Sequence, residues 1–402
     1  VQLKQYMAVT GCYWGFTVTD GALRMLVVLY FHQLGYSPLE VAMLFLLYEF
    51  FGVITNLFGG WLGARWGLNK TLHVGLSLQV LALLMLSVDR SYLTVPYVMA
   101  AQALSGIAKD LNKMSAKSSI KLLVPDNAQG SLYKWVAILT GSKNALKGVG
   151  FFVGAVLLSS IGFQGALWTM AAALMLICVV GVLYLRQDLG RSSFKPKFRD
   201  LVSKSESVNL LSGARLFLFG ARDVWFVVAL PVYLQSVLDW AHTQVGAFLA
   251  CWVIGYGIVQ SVAPTLTGLK SGRVPDGYTA MNLATVLAVL PLLMVGCLSL
   301  GLDGNWVLVI GLMLFGAVFA INSSVHSYLI VAYAKADGVS LDVGFYYMAN
   351  AAGRLLGTVL SGWVYQTWGF SACLVVSTLF LLLTSGVSLQ LPRCQSRPAD
   401  PA

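Results

Sequence analysis

The sequence predicts an all-α membrane protein of twelve transmembrane helices, arranged as two pseudo-symmetric six-helix bundles. Three observations lead there. Apolar runs long enough to span a bilayer follow one another almost from end to end. Lysine and arginine crowd the loops of one side. The two halves of the chain repeat each other's landmarks. Composition agrees: 58% of residues are hydrophobic, 10% are charged and the mean hydropathy is +0.77, where soluble proteins carry about 25% charged residues.

A span needs roughly 20 apolar residues, and twelve runs meet that length in order. Segment 1 (7–32) follows Lys4 and holds Asp20 and Arg24 at mid-depth. Segment 2 (39–62) holds Glu49 and runs into the glycine-rich stretch before Lys70, after which segment 3 (71–88) is free of charge. Segment 4 (93–122) follows Arg90 and holds Lys109, Asp110, Lys113, Lys117 and Lys121. Segment 5 (131–160) holds Lys143 and Lys147 at mid-depth, and segment 6 (163–186) has no mid-depth charge. Segment 7 (209–237) holds Arg215, Arg222 and Asp223. Segments 8 (243–268) and 9 (278–300) have no mid-depth charge. Segment 10 (305–334) holds Asn322 and His326, segment 11 (341–366) holds Arg354, and segment 12 (369–391) closes the series. The first segment is too long for a secretory signal, and no small-residue cleavage site follows it.

Orientation follows from the loop bases. Lys4, Arg65, Lys70, Arg186, Arg191, Lys335 and Arg393 fall on one side, and Arg90 alone on the other. The positive-inside rule makes the rich side cytoplasmic. Both termini are therefore expected in the cytoplasm, with the chain multi-pass in a bacterial inner membrane. The expected organisation is an N-terminal bundle (1–186), a basic cytoplasmic linker (187–208) and a C-terminal bundle with a short tail (209–402). The net charge of +10 lies largely on those loops, so it is no nucleic-acid signal. The six cysteines are scattered singly, without metal or redox spacing. No Walker loop, HExxH or nucleophile elbow occurs, which excludes ATP-driven pumping by this chain and gives no sign of an enzyme, a metal or a cofactor.

Internal repetition supports the two-bundle reading. Gly60, Gly63, Arg65, Gly67 and Lys70 follow segment 2, as Gly268, Lys270, Gly272 and Arg273 follow segment 8. Asp20/Arg24 and Arg222/Asp223 occupy like positions in segments 1 and 7. Asn144-Ala145 matches Asn350-Ala351. Gly150-x-x-x-Gly154 and Gly353-x-x-x-Gly357 are small-residue spacings that permit close helix packing.

The ionisable residues inside the spans carry the functional signal. A charge at the bilayer centre costs about 2.5–3.5 kcal/mol on insertion scales. Bases outnumber acids there, so a water-filled path lined by them attracts anions. Lys109, Lys113 and Lys117 recur every fourth residue and share one helix face, with Asp110 pointing about 100° away on helical geometry. This stripe is expected to gather an anion, although Lys117 and Lys121 are also placed to snorkel to headgroups. Arg24, Lys109, Lys143, Lys147, Arg222 and Arg354 are the expected substrate-binding residues. Arginine offers phosphate or arsenate a planar fork. Asp20, Glu49, Asp110 and Asp223 are expected in coupling or ion pairs. An Asp20–Arg24 pair within one helix and an Asp223 pair across the halves are both open. Lys113, Arg215, Asn322 and His326 are weaker cavity or mouth candidates. Trp14, Trp225, Trp252, Tyr346 and Tyr347 fit a cavity wall or packing equally well.

The segment Gly60-Trp61-Leu62-Gly63-Ala64-Arg65-Trp66-Gly67-Leu68-Asn69-Lys70 resembles the loop motif G-x-x-x-D-R/K-x-G-x-R/K-R/K of the major facilitator superfamily. Gly60, Arg65, Gly67 and Lys70 match; Ala64 replaces the acid and Asn69 one base. The resemblance implies the major facilitator fold, with these four residues in a gating loop and with helices 1, 4, 7 and 10 around a central cavity. Four further runs, Thr19–Arg24, Phe31–Pro38, Ser105–Lys117 and Thr140–Gly148, resemble the ArsJ-type organoarsenical efflux permeases over essentially the whole chain. That likeness implies export of 1-arseno-3-phosphoglycerate, a partner glyceraldehyde-3-phosphate dehydrogenase that makes the ester, arsenate resistance and a monomer in the lipid bilayer. The residues alone reach only an anion transporter.

Overall fold

The computed structural model describes residues 3–36, 44–125, 128–185, 189–191, 205–240, 242–269, 272 and 274–393. Among them the chain is helical with no strand. The N-terminal half contains α1 (Leu3–Gln33), α2 (Leu46–Trp66), α3 (Leu68–Leu86) and α4 (Val95–Leu123), with a short 3₁₀ turn (Arg90–Tyr92) before α4. One continuous helical stretch, Gln129–Tyr184, follows; Gly162 takes φ 74° and ψ 179° inside it and divides it into α5 and α6. That backbone is closed to residues with a Cβ, so the glycine fixes where the chain turns back. The C-terminal half contains α7 (Glu206–Ser236), α8 (His242–Leu266), α9 (Gly277–Ser299), α10 (Gly304–Tyr333), α11 (Val339–Trp368) and α12 (Phe370–Ser388). The twelve expected spans are thus all represented, with the start of the second lying partly outside the described residues.

Seven of the described helical runs are long and apolar enough to cross a membrane. The runs outside that set, α1, α2, α4 and α11, are long but less apolar: α1 has 31 residues and α11 has 30. At 1.5 Å per residue either spans more than the roughly 30 Å of hydrocarbon.

One expectation needs correction. Segment 7 is not a single uninterrupted helix: α7 breaks at Val227–Val228 and resumes at Ala229. Pro231 has no N–H, and its ring would meet the carbonyl of Val227. The backbone N–H groups of Val228 and Ala229 instead donate to Ser361 Oγ on α11, at 3.3 and 3.1 Å. The break is therefore satisfied by a neighbouring side chain rather than left open in an apolar medium.

Close glycine contacts position the bundles. In the N-terminal half, a Cβ on Gly150 of α5 would lie 2.6 Å from the Val18 carbonyl of α1. In the C-terminal half, a Cβ on Gly357 of α11 would lie 2.7 Å from the Gly220 carbonyl of α7. The same small-residue spacing thus performs the same packing in both repeats.

The halves join along α5 with α8 and along α2 with α11. These seams run from mid-depth to the face holding the ends of α4 and α10. There Lys121 Nζ donates to the Ala332 carbonyl (3.3 Å), Tyr328 to Gln129 (3.0 Å), Thr267 to Tyr133 (3.1 Å) and Ser340 to the Gly60 carbonyl (2.7 Å). One hydrophobic core spans the N-terminal half and includes Val325, Leu329, Val339, Val343 and Tyr346 from the other half. A second core is confined to the C-terminal half, around Trp225, Trp252, Phe315 and Phe319. The shared core seals the halves on the face that also holds the chain's N-terminal end.

Candidate functional site

Three helices set the centre of the site: α1, α2 and α4 present Asp20, Arg24, Tyr48, Glu49, Lys109, Asp110 and Lys113. Glu49 Oε1 lies 3.4 Å from Arg24, and its Oε2 lies 3.9 Å from Lys109 and 3.8 Å from Arg354. Arg354 comes from α11, so this carboxylate bridges the two halves. Asp110 pairs with Lys113 at 2.5 Å and with Lys109 at 3.8 Å. Asp20 accepts from Tyr48 Oη at 2.7 Å and meets Lys147 of α5 at 3.5 Å. Asp223 holds Arg222 at 2.5 Å and Arg354 at 3.1 Å.

These contacts form one network from both halves, with six bases against four acids. Its surplus is positive. Its side chains are not sealed: Arg24, Glu49 and Arg354 are 32%, 34% and 37% exposed. Aromatic faces complete the lining. Lys109 Nζ stands 3.9 Å from the Tyr48 ring centre, Lys113 4.7 Å from that of Tyr347, and Arg222 4.9 Å from that of Phe219. Such faces attract cations without neutralising them, so the bases stay available to an anion.

Several sequence expectations change. Asp110 answers the lysine stripe instead of pointing away from it, because the long Lys109 and Lys113 side chains curl to its carboxylate. Asp20 and Arg24 do not pair with each other; each reaches a partner on α2, and Asp20 also reaches α5. Asp223 pairs within its own half, and Glu49 supplies the link across. Lys117 does not snorkel to the mouth: it is 3% exposed and donates to Tyr347 Oη of α11 at 2.5 Å. The α4 stripe points to the interface between halves, where headgroups are out of reach.

Lys143 donates to the Asn144 side-chain oxygen at 3.3 Å, and among the described residues no acid pairs with it. Arg215 is buried, donating to Asn350 Oδ1 (2.9 Å) and to the Ser323 carbonyl and hydroxyl (3.3 and 3.1 Å). Asn322 and His326 are fully buried on α10, and among the described residues neither side chain has a hydrogen-bond partner. Neither therefore acts as the helix–helix hydrogen bond that polar residues of such spans often make. The repeat-related asparagines do different work: Asn144 donates to Gln260 of α8 at 2.7 Å, while Asn350 receives Arg215.

In the Gly60–Lys70 segment, Gly67 joins α2 to α3 with φ 94° and ψ 153°. Only glycine takes that backbone readily. Arg65 sits on the Trp61 ring at 5.0 Å, and Gly60 meets Ser340 as given above. Lys70 also has a partner. Lys270 and Arg273 of the equivalent stretch lie outside the described residues, as do most of the basic linker and Cys394. The other five cysteines are free thiols. Among the described residues no group of His, Cys, Asp and Glu could hold a metal.

Tyr48 is the site residue the sequence reading missed. It adjoins Glu49 and shares both Asp20 and Lys109. Its signal in the sequence was only a tyrosine among the aromatic residues of that span, which favours no role by itself.

The family model of the Major Facilitator Superfamily matches residues 9–227 and again 211–393. Among solved structures, the human organic anion transporter MFSD10 (TETRAN) matches with TM-score 0.75 at 15% identity, over 96% of this chain and 99% of that one. A bacterial homologue of the iron transporter ferroportin in an outward-facing state matches with TM-score 0.72 at 15% identity, over 97% and 98%. The E. coli fucose:proton symporter FucP matches with TM-score 0.73 at 11% identity, over 96% and 97%. At these identities the likeness is one of fold. No curated protein matches the chain.

Proposed function

The chain belongs to the major facilitator superfamily, and on that premise we propose that it is a secondary transporter of a small polyanion working by alternating access. The protein is not an enzyme; its structural relatives are transporters. The observation that carries the proposal is the surplus-positive network in which Glu49 of one half holds Arg354 of the other. An incoming anion competes with Glu49 for Arg24, Lys109 and Arg354. Binding between two basic sets lowers the cost of bringing them together, so ligand affinity differs between open and closed arrangements. A ligand shifts such an equilibrium only by a difference of that kind.

The resemblance of the α1, α4 and α5 runs to organoarsenical permeases narrows the anion to 1-arseno-3-phosphoglycerate, exported to confer arsenate resistance. Its arsenate and phosphate ends suit Lys109, Lys143 and Lys147 on one side and Arg222 and Arg354 on the other. A glyceraldehyde-3-phosphate dehydrogenase supplies the ester, since nothing in this chain makes one. The second reading is exchange of another organic phosphate or of inorganic phosphate, which the same bases would hold. A receptor or scaffold without transport fits less well: its internal ion pairs would close the cavity, whereas Glu49 and Arg354 keep a third of their surface.

Inside-out vesicles separate the readings. Uptake of the arseno-ester in preference to 3-phosphoglycerate and phosphate is expected. Equal uptake of phosphate would favour the exchanger, and no uptake of any of them would remove the transport reading. In cells, arsenate resistance is expected to need the dehydrogenase; strong resistance without it would sink the assigned substrate.

A further inference from the structure

We propose that Lys117 and Arg215, with Lys143 at the border with the central network, form a second anion site suited to a tetrahedral oxyanion such as phosphate or arsenate. The first observation is burial of cations without acids. Lys117 and Arg215 are each 3% exposed. Among the described residues, no carboxylate lies within salt-bridge distance of Lys117, Lys143 or Arg215, whereas every base of the central network has one. Their partners are neutral: the Tyr347 hydroxyl, the Asn144 and Asn350 amides, and Ser323. Asn144, which accepts from Lys143, donates to Gln260 (2.7 Å), and Gln260 donates to the Ser323 hydroxyl that also receives Arg215 (3.2 and 3.1 Å). A buried charge without a counter-charge is costly, and here the like charges come from opposite halves.

The second observation is independent. His326 and Asn322, one turn apart on α10, are fully buried with every polar side-chain atom unpartnered among the described residues. Ser323, which accepts from Arg215, adjoins Asn322 in the chain, and His326 follows Ser323 by three residues on the same helix. Unpartnered polar groups beside uncompensated cations make a coordination shell of mixed donors. A dianion would answer both cations at once, and the Arg215 fork can present two N–H groups to one ion.

Lys117 and Arg215 are displaced from the central network. Lys117 follows Lys109 on α4 by eight residues and Arg215 precedes Arg222 on α7 by seven, which is about 12 Å and about 10 Å along the helices. Both steps run toward the sealed face. Because each half contributes, parting of the halves on that face opens the site to water, and closure encloses its ion. If that face is cytoplasmic, an exported anion meets this site before the central network.

Equilibrium binding of radiolabelled phosphate to the purified full chain in detergent tests the proposal. Lys117→Gln and Arg215→Gln are each expected to weaken binding about tenfold or more, the loss of one charge-assisted contact. Arg90→Gln, at an exposed base outside both sites, should leave it nearly unchanged. Wild-type binding by the Lys117 and Arg215 variants, or loss only with Arg90→Gln, would overturn the site. Should the glutamine variants unfold, the Lys117→Arg chain keeps that charge and leaves Arg215 in place. Retained phosphate binding there supports the site, and loss in a folded chain overturns it. Competition by 3-phosphoglycerate would assign the site to the phosphate end of the ester, and its absence to a free inorganic oxyanion. The inference rests on the transport reading only for the site's use. Ester transport without phosphate binding would remove this site alone; phosphate binding without ester transport would remove the transport reading alone.

Discussion

Arg354 is the residue on which the two halves most directly meet. It holds Asp223 at 3.1 Å and Glu49 at 3.8 Å, and it keeps more than a third of its surface for a ligand. Losing one charge-assisted contact typically costs about 1.5–3 kcal/mol, roughly ten- to a hundredfold in affinity. Arg354→Ala and Lys147→Ala are therefore expected to abolish most ester uptake in vesicles, normalised to folded protein. Arg354→Lys should rescue poorly, since a point charge cannot span Asp223, Glu49 and an anion as a planar fork does. Full activity of Arg354→Lys would show that only charge matters there. Asp223 behaves differently. It is fully buried between Arg222 and Arg354, so Asp223→Asn leaves two cations against one neutral amide. Breaking a buried pair costs about 3–5 kcal/mol. A lowered thermal unfolding midpoint is expected, and an unchanged midpoint would mean that water already solvates the arginines.

Helix pairing depends on bare backbone at a few points. A Cβ on Gly257 of α8 would stand 2.6 Å from the Ala145 N and 2.8 Å from the Gly141 carbonyl of α5. This is the seam between halves, so Gly257→Ala must push α5 and α8 apart. Overpacking of this kind costs about 1–3 kcal/mol. Gly255 lies on the same helix with nothing within 4 Å of its added Cβ, and it provides the control. Gly257→Ala should lower the unfolding midpoint and slow transport, while Gly255→Ala should do neither. Equal effects would mean that helix propensity, not the seam, sets the outcome. The α7 break belongs to this scale too. Pro231 announces a kink from sequence, but only the Ser361 hydroxyl on α11 shows how the freed backbone groups are met.

The whole molecule has one sealed face, where the two halves share a hydrophobic core. The loop bases predict that the sealed face, with both termini and the 187–208 linker, is cytoplasmic. Single cysteines at Ser193 and Gly304, in a chain without its native cysteines, test this in intact cells. A membrane-impermeant thiol reagent should label position 304 and not 193. Labelling of 193 alone would invert the protein, and with it the order in which an anion meets the two basic sites.

The sequence by itself determined the class, the twelve spans, the duplication and the depth of the charges. Each follows from local physics: an apolar run of fixed length, a glycine where the backbone turns, and a base retained despite its insertion cost. Spacing along one helix also placed Lys109, Lys113 and Lys117 on one face. What spacing could not decide was which charge answers which. Asp20 looked toward Arg24 four residues on, yet it meets Lys147 and Tyr48 from other helices. Asp110 seemed turned away, yet flexible lysine stems bring two ammonium groups to it. Lys117 seemed bound for the headgroups, yet α11 covers it. Glu49 carried no sign of its bond to Arg354, because that contact exists only when the halves pack. Pairing between charges on different helices depends on distances set by the whole bundle, and only the tertiary structure fixes those.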